Sequence, residues 1–217
     1  MGKRVLLIDC DAQGNLQNQF HVRTEKTLVD LLLHGEVEIA SVRKNLDLIN
    51  SGKQKLAEAE VSLAGNPFRE MIMTEKLKQI TDYDYIFCDL SPTITPVNTM
   101  ALYYCRYLLI PISMSFFAIT GALQIIESSE IVNQHRHIEL LGLIMNFVDS
   151  RTNMTKMISE AVREKWSSKV FDSVIRKNIA IEEAPSQHKT IYEHAPQSNG
   201  ALDFTRLTEE FLQRCPE

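Results

Sequence analysis

A doubly wound α/β fold built on a mostly parallel sheet is the class this sequence predicts, and three observations carry it. Short apolar runs that end at polar or turn residues recur along the chain. Most intervals between those runs carry apolar residues at helical spacing. Two of the runs end in carboxylates, Val5-Leu6-Leu7-Ile8-Asp9-Cys10-Asp11 and Tyr85-Ile86-Phe87-Cys88-Asp89, and the carboxyl ends of strands are where open α/β sheets place ligand chemistry.

Strands are expected at residues 4–9, 46–50, 83–89, 107–112, 140–146 and 170–175, because each run is about as long as a strand buried on both faces. Helices are expected at 54–63, where Leu56 and Ala59 share a face, and at 68–80, where Met71, Leu77 and Ile80 recur near helical spacing. Three more are expected at 119–134, 153–166 and 199–213. No internal repeat, low-complexity tract or linker interrupts the pattern, so one domain over residues 1–217 is expected.

With 217 residues and 44% hydrophobic content the chain can bury a substantial core. No apolar run has the roughly 18 to 20 residues of a membrane-spanning helix, and no apolar signal-peptide core follows the basic start, so a cytoplasmic location without membrane association is expected. A net charge of -5 argues against a uniformly basic nucleic-acid binder while leaving room for a local basic face. Cys10, Cys88, Cys105 and Cys215 lack C-x-x-C spacing, which removes the usual zinc and dithiol patterns. Cys10 and Cys88, inside strand patterns, are expected as buried free thiols.

Asp9 and Asp11 lie two residues apart at a strand end, where both carboxylates would point to one side if strand geometry persisted. A divalent cation or an attacking water could use them, although an isolated pair could equally cap the following turn. Asp89, at the end of an apolar strand and followed by Leu90-Ser91-Pro92, has the pattern of a strand whose acid organises Mg²⁺. Coupled to Asp9 and Asp11 it points to a metal-nucleotide site.

LLIDCDAQGN resembles the second ATPase motif of the ParA/Soj partition family, a deviant Walker group that includes MinD, and DYDYIFCDLSPT resembles its Walker B segment. Leu108-Leu109-Ile110-Pro111 with Phe117-Ala118-Ile119-Thr120-Gly121, Asp149-Ser150-Arg151-Thr152-Asn153, and Ile181-Glu182-Glu183-Ala184-Pro185-Ser186 are similar to three further family blocks in the same order. The resemblance implies a P-loop NTPase-like fold that takes ATP and Mg²⁺. It also implies a homodimer, binding to DNA without sequence preference, and hydrolysis stimulated by a centromere-binding ParB-type partner on the nucleoid. It assigns Asp11 to the attacking water as the catalytic residue, Asp9 and Asp89 to the metal, and Lys177 and Asn178 to the nucleotide base, with Asn146 compatible with the base or simply a strand-terminating Asn.

The departures matter as much. Family members reach this opening strand only after a strand, a Gly-rich Walker A loop and a helix. No Gly-rich loop ending in Gly-Lys-Ser/Thr occurs in the 217 residues. That loop would supply the N–H cradle for phosphate, its lysine and a hydroxyl ligand for Mg²⁺. An upstream segment carrying the loop is the expectation. Genuine loss of the loop, or its supply by another polypeptide, are the alternatives. Because the loop-bearing strand is central in the family, its absence should leave an unpaired sheet edge or groove. Without it the chain alone is expected to be inactive. Ser91 and Thr93 depart from the family's Thr-Pro-Pro-Ser ending, and Arg176 stands where a Pro is usual.

Between residues 151 and 177 the chain carries Arg151, Lys156, Arg163, Lys165, Lys169, Arg176 and Lys177 against Glu160, Glu164 and Asp172. Phosphate contact needs no more than spread Lys and Arg, and by resemblance Lys156, Arg163, Arg176 and Lys177 are the DNA-binding candidates. A solvated face balanced by Glu160 is the bland alternative. Met154, Met157, Ile158, Ala161, Val162 and Trp166 form the opposite stripe of this helix and are expected in the core. A catalytically silent DNA- or partner-binding module is the competing functional class. The acidic C-terminus argues against a membrane-surface helix, and the cysteine spacing argues against a bridging iron-sulfur cluster.

Overall fold

The computed structural model describes residues 2–215, which pack as two compact units dividing after Cys105. The first contains β1 (Val5–Asp9), α1 (Asn15–Phe20), α2 (Leu28–His34), β2 (Ala40–Arg43), β3 (Leu46–Ile49), α3 (Gln54–Leu63), α4 (Arg69–Leu77), β4 (Tyr85–Asp89) and α5 (Pro96–Tyr104). Its sheet runs β2-β3-β1-β4, with β1 parallel to both neighbours and β2 antiparallel to β3. Helices flank the sheet and share its core, in which Leu6, Ile8, Leu28, Ile49, Leu56, Met73, Leu77, Val97 and Met100 are buried. Burial of side chains on this scale is the main driving force for the unit.

The register of β1 against β4 sets Asp9 beside Asp89, and the Cys10 N–H donates to the Asp89 carbonyl at 2.9 Å. The acids are therefore neighbours as a direct consequence of strand pairing. β4 is the last strand of this sheet, and its outer edge has no strand partner among the described residues. Phe87 in β4 is 37% exposed, whereas Leu6 and Ile8 in the adjacent β1 are at 0%. An apolar edge of this kind is a site for further pairing.

The second unit contains β5 (Tyr107–Ser113), α6 (Phe116–Asn133), β6 (Glu139–Asn146), α7 (Asn153–Trp166), α8 (Ile179–Glu183), α9 (Ile191–His194) and α10 (Asn199–Arg214). β5 and β6 pair in parallel and bury Leu108, Ile110, Ile112, Leu143 and Met145. Residues 170–175 run beside β6 through the Phe171 N–H to the Leu143 carbonyl and the Ile175 N–H to the Met145 carbonyl, each 2.9 Å. They form only isolated bridges there, which corrects the expected sixth strand. Gly142 permits the approach, since a Cβ there would lie 2.5 Å from the Lys169 carbonyl oxygen.

Helix starts follow local capping chemistry. Thr95, Ser115, Thr152, Asn178, Thr190 and Ser198 each accept a backbone N–H near the start of the helix they precede. Pro96 opens α5, where its missing N–H costs nothing. In α7 the expected apolar stripe is only partly internal: Ile158 and Val162 are buried with Thr155, while Met154 and Met157 are 58% and 68% exposed. The stripe is wider than the face that packs.

Candidate functional site

Asp9, Asp11 and Asp89 converge at the carboxyl ends of β1 and β4. Asp9 is fully buried, and its Oδ1 accepts the Asp11 N–H at 3.2 Å. Its Oδ2 is buried with no hydrogen-bond partner among the described residues. Burial pushes the Asp9 carboxyl up to about 6, reinforced by the charges of Asp89 and Asp11 and opposed by the backbone N–H. The Asp89 carboxyl is raised as well, by desolvation first and the Asp11 charge second.

The Asp11 carboxylate is aimed by its own turn. Its Oδ1 accepts the Gln13 N–H at 2.9 Å, and its carbonyl accepts the Gly14 N–H at 3.0 Å. Gly14 has φ 64, which glycine adopts without strain, and α1 follows directly. Behind Asp89, the buried Asn98 side chain donates to the carbonyls of Ser91 and Thr93 at 2.9 and 2.8 Å. The Ser91 and Thr93 departures thus sit in a loop held by α5.

The described residues include no group of three acidic, histidine or cysteine side chains spaced to hold a metal ion. The Asp9–Asp89 pair, with its one orphaned buried oxygen, nevertheless offers the carboxylate chemistry that a hard divalent cation takes. Asp9 and Asp89 are the residues that would hold Mg²⁺, whose charge would offset their mutual repulsion and polarise phosphate oxygens. The described residues offer no comparable fit for a triphosphate, because no Gly-rich loop of N–H groups occurs among them.

The acid cluster gives an unusual pH dependence in the absence of metal. Folded Asp9 keeps its proton to about pH 6, whereas an unfolded Asp releases it near pH ~4. The folded state holds the extra proton in that window, so this contribution is present at low pH and lost as pH rises. Asp9→Asn carries no charge at any pH. It is expected to exceed the wild type in stability by about 2 to 3 kcal/mol at pH ~7 and to lose that advantage near pH ~4. Urea unfolding at both pH values without divalent ions checks this, and an equal difference at both would contradict it.

The other expected residues lie in the second unit. Asn146 ends β6, and its Oδ1 accepts the Phe147 N–H at 2.9 Å, which leaves its amide donors available. The Val148–Arg176 bridge brings the segment after Asn146 beside the one carrying Lys177, whose N–H donates to the Val148 carbonyl at 3.0 Å. Asn178 caps α8 by accepting the Ala180 N–H at 2.9 Å. Arg176 is engaged by Asp203, with Nη2 to Oδ1 at 2.6 Å and Nε to Oδ2 at 2.9 Å. Lys156 and Lys177 are exposed, and Arg163 lies 3.6 Å from the exposed Asp172. Of the basic candidates, Arg176 alone is tied to a buried carboxylate.

A family model described as an AAA domain matches residues 1–141. The chromosome-partitioning ATPase Soj of Thermus thermophilus is 32% identical over 222 residues, covering 100% of this chain and 86% of that protein. The sporulation initiation inhibitor protein Soj of Bacillus subtilis is 31% identical over 97% of this chain and 87% of its own length. Among solved structures, apo McdA of Cyanothece superposes with a TM-score of 0.85 at 21% identity, covering 96% of this chain and 88% of that one. A plasmid partition protein of Borrelia burgdorferi bound to AMPPNP superposes with a TM-score of 0.82 at 19% identity, covering 98% and 88%. These likenesses agree with the P-loop NTPase-like fold of mostly parallel sheet and flanking helices.

Proposed function

The chain belongs to the ParA/Soj partition ATPase family, and on that premise we propose that it acts as a partition ATPase of the cytoplasm and nucleoid. In this reading ATP and Mg²⁺ close a homodimer, the dimer binds DNA without sequence preference, and a ParB-type partner stimulates hydrolysis. The observation that carries it is the pairing of Asp9 with Asp89 across β1 and β4, with the Asp11 turn beside them and the Asp9 Oδ2 buried and unpartnered among the described residues.

Asp9 and Asp89 would hold Mg²⁺. Asp11, whose Oδ1 is fixed by the Gln13 N–H, orients the attacking water through its other oxygen. Because orientation acts on the chemical step, its loss lowers turnover while leaving nucleotide binding. Asn146, Lys177 and Asn178 supply contacts on the base side.

A catalytically silent module is the second reading. Calorimetry with ATP and Mg²⁺ separates the roles of loop and acids. The 217 residues alone are expected to bind ATP weakly, since three acids repel the phosphates and no loop cradles them. Sub-micromolar affinity with Asp11-dependent turnover would contradict this division of labour.

DNA binding has its own test. A combined Lys156→Ala, Arg163→Ala, Lys177→Ala variant is expected to weaken binding by about tenfold or more on unrelated duplexes and to flatten the salt dependence by about 2 to 3 log units per log unit. Fluorescence anisotropy across salt concentrations reads both. Unchanged affinity would place the contact surface elsewhere.

A further inference from the structure

Lys53 lies outside every motif named above, yet its side chain crosses the turn that carries Asp11. It occupies the loop between β3 and α3 with φ 55 and ψ -128, a backbone region that side-chain-bearing residues rarely adopt. Its N–H donates to the Ser51 hydroxyl at 3.2 Å, and its carbonyl accepts the Leu56 N–H at 2.8 Å. Its alkyl chain lies against Gly14, where an added Cβ would meet Lys53 Cγ at 2.7 Å and Cε at 2.9 Å. Its ammonium donates to Asn18 Oδ1 on α1 at 2.9 Å. One side chain thus bridges the end of β3, the glycine of the turn and the helix that follows.

We infer that Lys53 is a positioning residue for Asp11, clamping the Asp11–Gly14 turn between the loop after β3 and α1. The inference rests on the role proposed for Asp11. Strained backbone persists where surrounding contacts over-determine it, and such positions cluster at functional sites. Glycine would adopt this backbone without strain but could make neither the alkyl contact nor the ammonium bond. The clamp acts on the two hydrogen bonds that aim Asp11, those from the Gln13 and Gly14 N–H groups.

The test is amide hydrogen exchange, read by NMR on the whole chain without nucleotide, so its outcome is independent of whether the chain hydrolyses ATP. Lys53→Met keeps the alkyl chain and removes the ammonium. It is expected to speed exchange at Gln13 and Gly14 by about tenfold while Leu6 and Ile8 in β1 keep their wild-type rates. Lys53→Arg should restore protection to within about threefold of wild type, because a guanidinium can still reach Asn18. Lys53→Gly should lose the same protection with no fall in melting temperature, since it relieves the backbone. Unchanged Gln13 and Gly14 exchange in Lys53→Met would overturn the inference. Equal acceleration at Leu6 and Ile8 would also overturn it, by assigning Lys53 to general stability.

Discussion

Joining a β-strand, a Gly-rich phosphate loop and a helix, about 30 residues in all, ahead of this chain is expected to raise its melting temperature by roughly 10 °C and to create ATPase activity. The stabilisation has a specific seat. β4 is the last strand of its sheet, with Phe87 37% exposed, while Leu6 and Ile8 of the neighbouring β1 are fully buried. A parallel strand added beside β4 would contribute ladder hydrogen bonds, each worth about 0.5 to 1.5 kcal/mol, and would shield apolar surface. A net gain of about 3 to 5 kcal/mol corresponds to the expected shift, at roughly 2 to 4 °C per kcal/mol for a protein of this size. The activity has a separate origin. A lysine and a row of N–H groups would meet the phosphates close to Asp89 and Asp11, and preorganised donors of this kind supply much of the rate in phosphoryl transfer. Differential scanning calorimetry and phosphate release read the two effects independently. A stabilised but inactive protein, tested with Mg²⁺, DNA and partner, would favour the silent-module reading.

How far these expectations were legible in the sequence depends on whether the signal was local. Helices α3 and α7 start and stop where apolar spacing places them, at Gln54–Leu63 and Asn153–Trp166. The five strands that were expected and form as strands lie within a few residues of their apolar runs. What escaped is short or set by partners. α1, α8 and α9 have six residues or fewer, too few for a period to register, and α2 is only one residue longer. β2 turns back through Asn45 at φ 62, a conformation Asn tolerates. α5 follows Thr95-Pro96, and its apolar residues Val97, Met100, Ala101 and Leu102 span too short a helix for a clear period. Residues 170–175 have strand-like apolarity but pair with β6 only at isolated points.

The site divides the same way. Asp9 and Asp89 end apolar strands and Asp11 stands two residues past the first of them, so the strand pattern points to all three. It could not point to the buried, unpartnered Asp9 Oδ2, since burial of a single atom depends on the surrounding side chains. Lys53 gave no signal because it reaches Asn18 from 35 positions away, and one lysine in a loop carries no pattern. The partner of Arg176, Asp203, comes from α10 in the same long-range way.

Asp11→Ala in the extended, loop-bearing protein is expected to lower turnover by about 10² to 10⁴-fold, the range for losing a group that orients or activates the nucleophile. Nucleotide affinity should stay within about threefold, because water orientation is used only in the chemical step. Asp89→Ala should instead weaken Mg²⁺-dependent nucleotide binding, since in the proposed role that carboxylate would serve the metal in ground and transition states alike. The contrast between the two acids is the signature of separate roles on one strand-end cluster. Loss of binding in both variants would mean that the cluster acts only as a metal site.

The most direct measurement is therefore steady-state phosphate release by the loop-bearing protein and its Asp11→Ala variant, with saturating Mg²⁺ and DNA and with nucleotide affinity measured in parallel. The expected result is turnover in the wild type and near-background release in the variant at matched ATP occupancy. Equal release from both at matched occupancy would contradict the assignment of Asp11 and, with it, the reading of the carboxylate cluster as the hydrolytic centre.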